Sequence, residues 1–169
     1  MNDIRILFAA SRAWPLDRAS VIARGLDDAY RRALDARGLR TWNRVPTVLV
    51  SGACPDGGDP IAEGYADYLG WAVERHPALW DECGPGCPAT SHRIRRRAGD
   101  TAHPGVLPDY CPKAGPRRNT HMVSLGADQA VGFPLGTRWS GTRDCMAKAA
   151  RAGIPTLILP EGTNDQPDC

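Results

Sequence analysis

The stretches "ECGPGCPATSHRIRRR" (82–97) and "DYCPKAG" (109–115) place Cys83, Cys87, His92 and Cys111 in a region with few apolar residues. Thiolates and imidazole are the ligands zinc prefers, and four of them fill its tetrahedral shell. A zinc held this way has no open position for water, so its role is structural: it ties down a segment that has no core of its own. The spacing is looser than that of a zinc ribbon, and free, partly buried thiols are the alternative. His103 is the substitute ligand if His92 faces away. A second pattern lies in "FPLGTRWSGTRDCMAKAARAGIPTLILP" (133–160), where a strand end runs through Gly136 and Gly141 into a helix beginning at Ser140, Gly141 and Thr142. Glycines let backbone N–H groups approach a ligand closely, and a helix N-terminus adds a positive dipole end, so phosphate is the natural guest.

Loops of the same kind recur in "AASRAW" (9–14), "SGACPDGGD" (51–59) and "GPRRN" (115–119). Arg12, Arg118 and the N–H groups near Gly57, Gly58, Gly141 and Thr142 would supply donors to an anion. Asp59 stands at the start of a helix, where it would cap that helix or face a ligand. Cys54 and Cys145 sit at loop-to-helix junctions where a thiol pKa can fall, but neither has an evident histidine base. Trp14, Trp80 and Trp139 lie near these loops, where each would stack on a nucleobase or pack the core.

These residues need a scaffold that brings the loops together. Strand-like runs "IRILFAA" (4–10), "TVLVSGA" (47–53), "WAVERH" (71–76), "ADQAVGF" (127–133) and "IPTLIL" (154–159) alternate with helical patterns. The helices are expected at about Asp17–Arg37, Asp59–Leu69, 116–125 and Thr142–Arg151. Alternation of this kind predicts a single α/β Rossmann-like domain over 1–160, with a mostly parallel sheet of about five strands wrapped by helices. In a parallel sheet every strand-to-helix loop falls on one edge, where such folds bind ligands. Residues 77–115, rich in Pro, Gly, Cys and Arg, break the pattern and read as an insertion that something must hold together. The stretch 161–169 reads as a flexible tail.

The chain has 169 residues, 42% hydrophobic and 24% charged, with a net charge of +2. That is one soluble domain, and no apolar run approaches the roughly 18 residues of a membrane span. No export signal is visible at the N-terminus, so a cytoplasmic, reducing setting is expected, in which clustered cysteines serve metals better than disulfides. No redox cofactor is expected. The run "HRIRRR" (92–97) could track a nucleic-acid backbone, but it lacks the aromatic residues of a stacking platform, so a nucleic-acid partner is not expected.

Across nearly its whole length, and in order, the chain resembles the YspA-related branch of the SLOG superfamily. The resemblance is carried by "ILFAASRAW", "LVSGACPDGGDPIAEGYADYLGW", "VERHPALW", "AGPRRNTHMVSLGAD" and "AVGFPLGTRWSGTRDCMAKAARAGIP". It implies a Rossmann-like fold shared with Lonely Guy phosphoribohydrolases, DNA-processing proteins and sensors of NAD-derived nucleotides, and commonly a homodimer paired through helices. Ala10, Ser11 and Arg12 stand where the family has Gly-Ser-Arg. Cys54, Pro55, Gly57, Gly58 and Asp59 resemble its second loop, and Arg118 with Asn119 its phosphoribosyl arginine. Pro134, Gly136, Gly141 and Thr142 match the Pro-Gly-Gly-x-Gly-Thr-x-x-Glu motif with an insertion. The glutamate of that motif, which assists N-glycosidic cleavage, is replaced by Cys145. Asp144 is the nearest carboxylate, and a one-residue shift rotates a helical side chain by about 100°. The resemblance therefore implies an anion pocket for a phosphorylated nucleotide or NAD-derived signal, used for sensing or sequestration. The alternatives are a phosphoribohydrolase using Asp144 or Glu63 as its acid–base group, and a single-stranded nucleic-acid binder.

Overall fold

The apolar run from Ile4 to Phe8 is the middle of the sheet, with Ile4, Ile6, Leu7 and Phe8 fully buried. In the computed structural model, which describes residues 3–40, 45–85, 87–96, 99–137 and 140–159, β1 (Ile4–Ala10) is followed by a single 3-10 turn (Leu16–Arg18) and α1 (Ala19–Ala36). Then come β2 (Thr47–Ser51), α2 (Gly58–Tyr68) and β3 (Ala72–Arg75). A short pair, β4 (Arg93–Ile94) and β5 (Asp109–Tyr110), precedes α3 (Ala114–Ser124), β6 (Gln129–Phe133), α4 (Gly141–Arg151) and β7 (Thr156–Ile158).

Five strands form one all-parallel sheet in the order β3-β2-β1-β6-β7. Successive side chains of a strand point to opposite faces. Ile4, Ile6 and Phe8 therefore pack against Val21, Ile22 and Leu26 of α1, while Leu7 meets Met122 of α3 and Met146 of α4. Because the chain winds outward from β1 in both directions, β1 and β6 mark the point where strand order reverses. Open α/β sheets bind ligands at the carboxyl ends of the strands beside such a point. The Rossmann-like α/β expectation is met, and no helix among the described residues is long and apolar enough to cross a membrane.

The region expected as an insertion is ordered around its own small framework. β4 and β5 pair antiparallel, Arg93 opposite Tyr110 and Ile94 opposite Asp109. The Arg95 side chain, only 7% exposed, bonds the Asp81 carboxylate at 2.5 Å and the His103 carbonyl at 2.8 Å. It also donates to the Leu107 and Asp109 carbonyls. Arg95 is thus a clamp inside the insertion, unavailable to a phosphate backbone. Arg97, Trp139 and the expected tail at 161–169 lie outside the described residues. At its far end the insertion is shorter than expected, since α3 begins at Ala114.

Gly57 shows why one loop glycine is required. Its φ is +76°, and a Cβ there would overlap the backbone of Ser11 and Arg12. The second loop can seat against the first only without a side chain. Gly57→Ala is expected to destabilise the fold by about 3 kcal/mol, combining a strained backbone with overpacking. Urea denaturation should read this as a lower midpoint at unchanged slope.

Candidate functional site

The loops after β1 and β2 meet the N-termini of α3 and α4 over the switch point and enclose a cavity of about 290 Å³. Ser11, Arg12, Asp59, Arg118, Asn119, Ser140, Gly141 and Thr142 all line it, eight side chains or backbones from four separate loops. Ser140 caps α4, its Oγ accepting the Arg143 N–H at 3.4 Å. The first N–H groups of α4 have no intrahelical acceptor, so they supply donors at the cavity wall.

Arg118 is held from three sides. Its Nη1 donates to the Gly52 carbonyl and, at 3.3 Å, to the His76 carbonyl, and its Nε donates to Asn119 Oδ1 at 3.0 Å. A Cβ on residue 52 would occupy the space of that guanidinium, so Gly52 is what lets Arg118 lie flat over the end of β2. Asn119 is 4% exposed and uses its amide to bridge α3 to α4, donating to the Gly141 carbonyl at 3.1 Å and to Asp144 Oδ2 at 3.0 Å.

Four expected ligand residues lie away from the cavity wall. Gly57 and Gly58 support it from behind: the Gly58 N–H donates to the Ser11 carbonyl at 3.3 Å. Pro134 is buried and Gly136 exposed in the β6–α4 loop, where the Gly136 carbonyl accepts from Arg143 at 2.6 Å. Both carboxylates expected as acid–base groups also stand outside it. Asp144 is engaged by Asn119 and by Lys148 Nζ at 2.7 Å, and Glu63 accepts from Ser51 Oγ and Arg75 Nε, each at 2.7 Å.

The carboxylate that does line the cavity is Asp59. It does not cap its own helix, whose N-cap is Gly57; instead Oδ2 accepts the Cys54 N–H at 2.9 Å and closes the second loop. Burial raises the Asp59 carboxyl to about 6, against the lowering effect of the Cys54 N–H and of Arg118. A carboxyl whose folded pKa lies above its unfolded one stabilises the fold below pH about 4 and loses that contribution as pH rises through 6. Asp59→Asn is therefore expected to match wild type near pH 4 and exceed it at pH 8 by on the order of 2 kcal/mol, read by thermal melts across that range.

Burial pushes the Cys54 thiol up and Cys145 to about 11. That is the reverse of nucleophile activation. Trp14 is 4% exposed, edge-on to Phe133, with its indole N–H on the Arg18 carbonyl, so its role is packing.

In the insertion, the ligand atoms of Cys83, Cys87, His92 and Cys111 all lie within 4.8 Å of one another. Zn–S and Zn–N bonds of about 2.3 and 2.0 Å in tetrahedral geometry put ligand atoms roughly 3.5–3.8 Å apart. The Cys87–Cys111 sulfur separation of 3.5 Å falls in that range. His92 turns Nε2 toward Cys83 Sγ, 2.7 Å away, and Nδ1 toward Asp109 Oδ2, also 2.7 Å away. A carboxylate behind a ligating imidazole fixes its tautomer and is a usual companion of metal-bound histidine.

Burial alone would raise the Cys111 thiol, but Arg117, the Lys113 backbone and the neighbouring thiols outweigh it and bring the group down to about 7. Cys83 is pushed the other way, to about 11, by burial and by the two other thiols. Three sulfurs this close share their protons until a cation balances them, which is the chemistry of a metal site. The group can hold a metal such as zinc. His103 is not part of it: it stacks on Tyr110 at 3.9 Å between ring centroids and pairs with Asp100 at 3.2 Å.

No family model matches the chain. The Gene 61 protein of Mycobacterium phage D29 is 56% identical to it over 158 residues, which cover 90% of this chain and 94% of that protein. This chain belongs to the family of that phage protein. The match spans both the sheet and the insertion.

Several members of the two sites were not singled out by type and spacing. Asp109, Arg117 and Gly52 act through the groups beside them: Asp109 orients His92, Arg117 donates to Cys111 Sγ at 3.4 Å, and Gly52 seats Arg118. Asp109 lies two residues before Cys111, the nearest thing to a local signal.

Proposed function

We propose that the cavity over β1 and β6 binds a phosphorylated nucleotide or NAD-derived nucleotide signal, to sense or sequester it, as the resemblance to the YspA-related SLOG branch implies. The observation that carries this reading is the convergence of Arg12, Arg118 and the α4 N-terminus on one cavity at the switch point. Two guanidiniums and a row of backbone N–H groups are phosphate donors of complementary kinds. A panel of nucleoside mono- and diphosphates, NAD-derived and cyclic nucleotides, followed by thermal shift, tests it. Stabilisation by at least one phosphorylated member, absent for its dephosphorylated counterpart, is the expected result.

A second reading, hydrolysis of a nucleotide N-glycosidic bond, is favoured by Asp59. A buried carboxyl that titrates near 6 at the cavity wall has the properties of a general acid, protonating the departing base while water adds to the anomeric carbon. Ligand recovered intact supports binding; recovered base and sugar phosphate support hydrolysis, with Asp59→Asn abolishing turnover.

The zinc in the Cys83, Cys87, His92 and Cys111 group is proposed to be structural, four protein ligands leaving no place for a reacting water. A homodimer is also proposed, pairing through the α1–α2 side, where Leu16 and Tyr68 are 78% and 82% exposed. Light scattering should give twice the monomer mass, and Tyr68→Glu should reduce it to the monomer.

A further inference from the structure

A second cavity, of about 450 Å³, opens on the other side of Arg118. Arg75 and His76 at the end of β3, Leu79 in the insertion, and Arg117, Arg118 and His121 on α3 line it. Its character differs from that of the first. Leu79 is 56% exposed there, and the His76 and His121 rings meet edge to face at 5.1 Å. The charge is one-sided: Glu82 is the sole acidic side chain among its described lining residues, against three arginines. Glu74, beneath His76, is already engaged by Arg5 at 2.9 Å and by His76 at 2.7 Å.

A smaller cavity joins the two. It shares Arg12, Gly52, Cys54 and Arg118 with the first and Pro77 and Arg118 with the second. Arg118 is common to all three, so its guanidinium stands at the middle of a trough along the carboxyl edge of the sheet. Ligand pockets usually measure roughly 300–1,000 Å³. The first cavity alone falls at the bottom of that range, and the two main cavities together lie well inside it.

We infer that the second cavity takes the distal half of the ligand held in the first, so that the ligand class is a dinucleotide: two ribosides joined through a pyrophosphate that straddles Arg118. This rests on the reading of the first cavity as a phosphate site. The polar first cavity receives one ribose and its phosphate, the guanidinium bridges the two phosphates, and the more apolar second cavity receives a flat ring between Leu79 and His121.

Titration calorimetry with ADP-ribose and with AMP tests the inference. Wild type should bind ADP-ribose at least about tenfold more tightly than AMP, about 1.4 kcal/mol. Leu79→Glu, at an exposed position, should remove that advantage and leave AMP affinity within about twofold; His121→Ala should weaken ADP-ribose selectively. Equal affinity for the two ligands, or a Leu79→Glu variant that weakens both or neither, overturns the dinucleotide inference and leaves the phosphate site standing. Failure of either ligand to bind wild type overturns both.

Discussion

Cys111→Ser is expected to lower the melting temperature by more than 10 °C and to leave residues 77–113 open to proteolysis. The reason lies in how little else holds that segment. Its only paired strands are the two-residue β4 and β5, and Cys111 ties the end of the insertion to the start of α3 through its carbonyl, which accepts the Ala114 N–H at 3.1 Å. Structural zinc binding is worth about 10–16 kcal/mol in small zinc domains. If only about 5 kcal/mol of that reaches the whole fold, at roughly 2–4 °C per kcal/mol for a chain of this size, the shift exceeds 10 °C. Chelator-treated wild type should behave as the variant does, and zinc should restore it. Protein purified without a histidine tag should carry one zinc per chain by metal analysis; a metal-free, fully folded chain with an unchanged melting temperature contradicts the site.

Arg118→Ala should abolish nucleotide binding, with a loss of at least about a hundredfold. Charge-assisted bonds to phosphate are among the strongest single contacts a side chain makes, and truncation also frees the Gly52 and His76 carbonyls to face the ligand's negative charge. Arg118→Lys should recover only part of the affinity, because a lysine cannot reproduce the planar fork that bonds Asn119 and a ligand at once. Since the guanidinium is half-exposed and at the site rather than in a core, the melting temperature of the unliganded variant should move little. A large drop in stability with unchanged affinity would make Arg118 a structural residue instead.

Sequence alone carried the scaffold well and the site unevenly. Strand β1 is legible to the residue, because Ile4, Ile6, Leu7 and Phe8 form an apolar run that only a strand covered on both faces would carry. The metal group was legible because thiols and imidazoles are rare outside such roles. The loops at the carboxyl edge were legible as a set, and their convergence on one cavity follows from a parallel sheet. What did not show was orientation. Asp144 and Glu63 have the right chemistry near the right edge, but Lys148 and Arg75 claim their carboxylates, and Asp59 turns its own inward instead. Likewise the arginines at 93–96 read as one basic run, although Arg95 is turned into the insertion and clamps Asp81. Which neighbour a charge finds is a tertiary property, set by loops whose spacing in the chain says little about their meeting.

The central claim is that the switch-point cavity holds a phosphorylated nucleotide by way of Arg118. The most direct measurement mixes the protein with the nucleotide panel, isolates the complex by gel filtration, denatures it and weighs the released small molecules. Wild type should return a phosphorylated nucleotide at up to one per chain, and Arg118→Ala should return none. Recovery of no nucleotide from wild type, or equal recovery from both, contradicts the account.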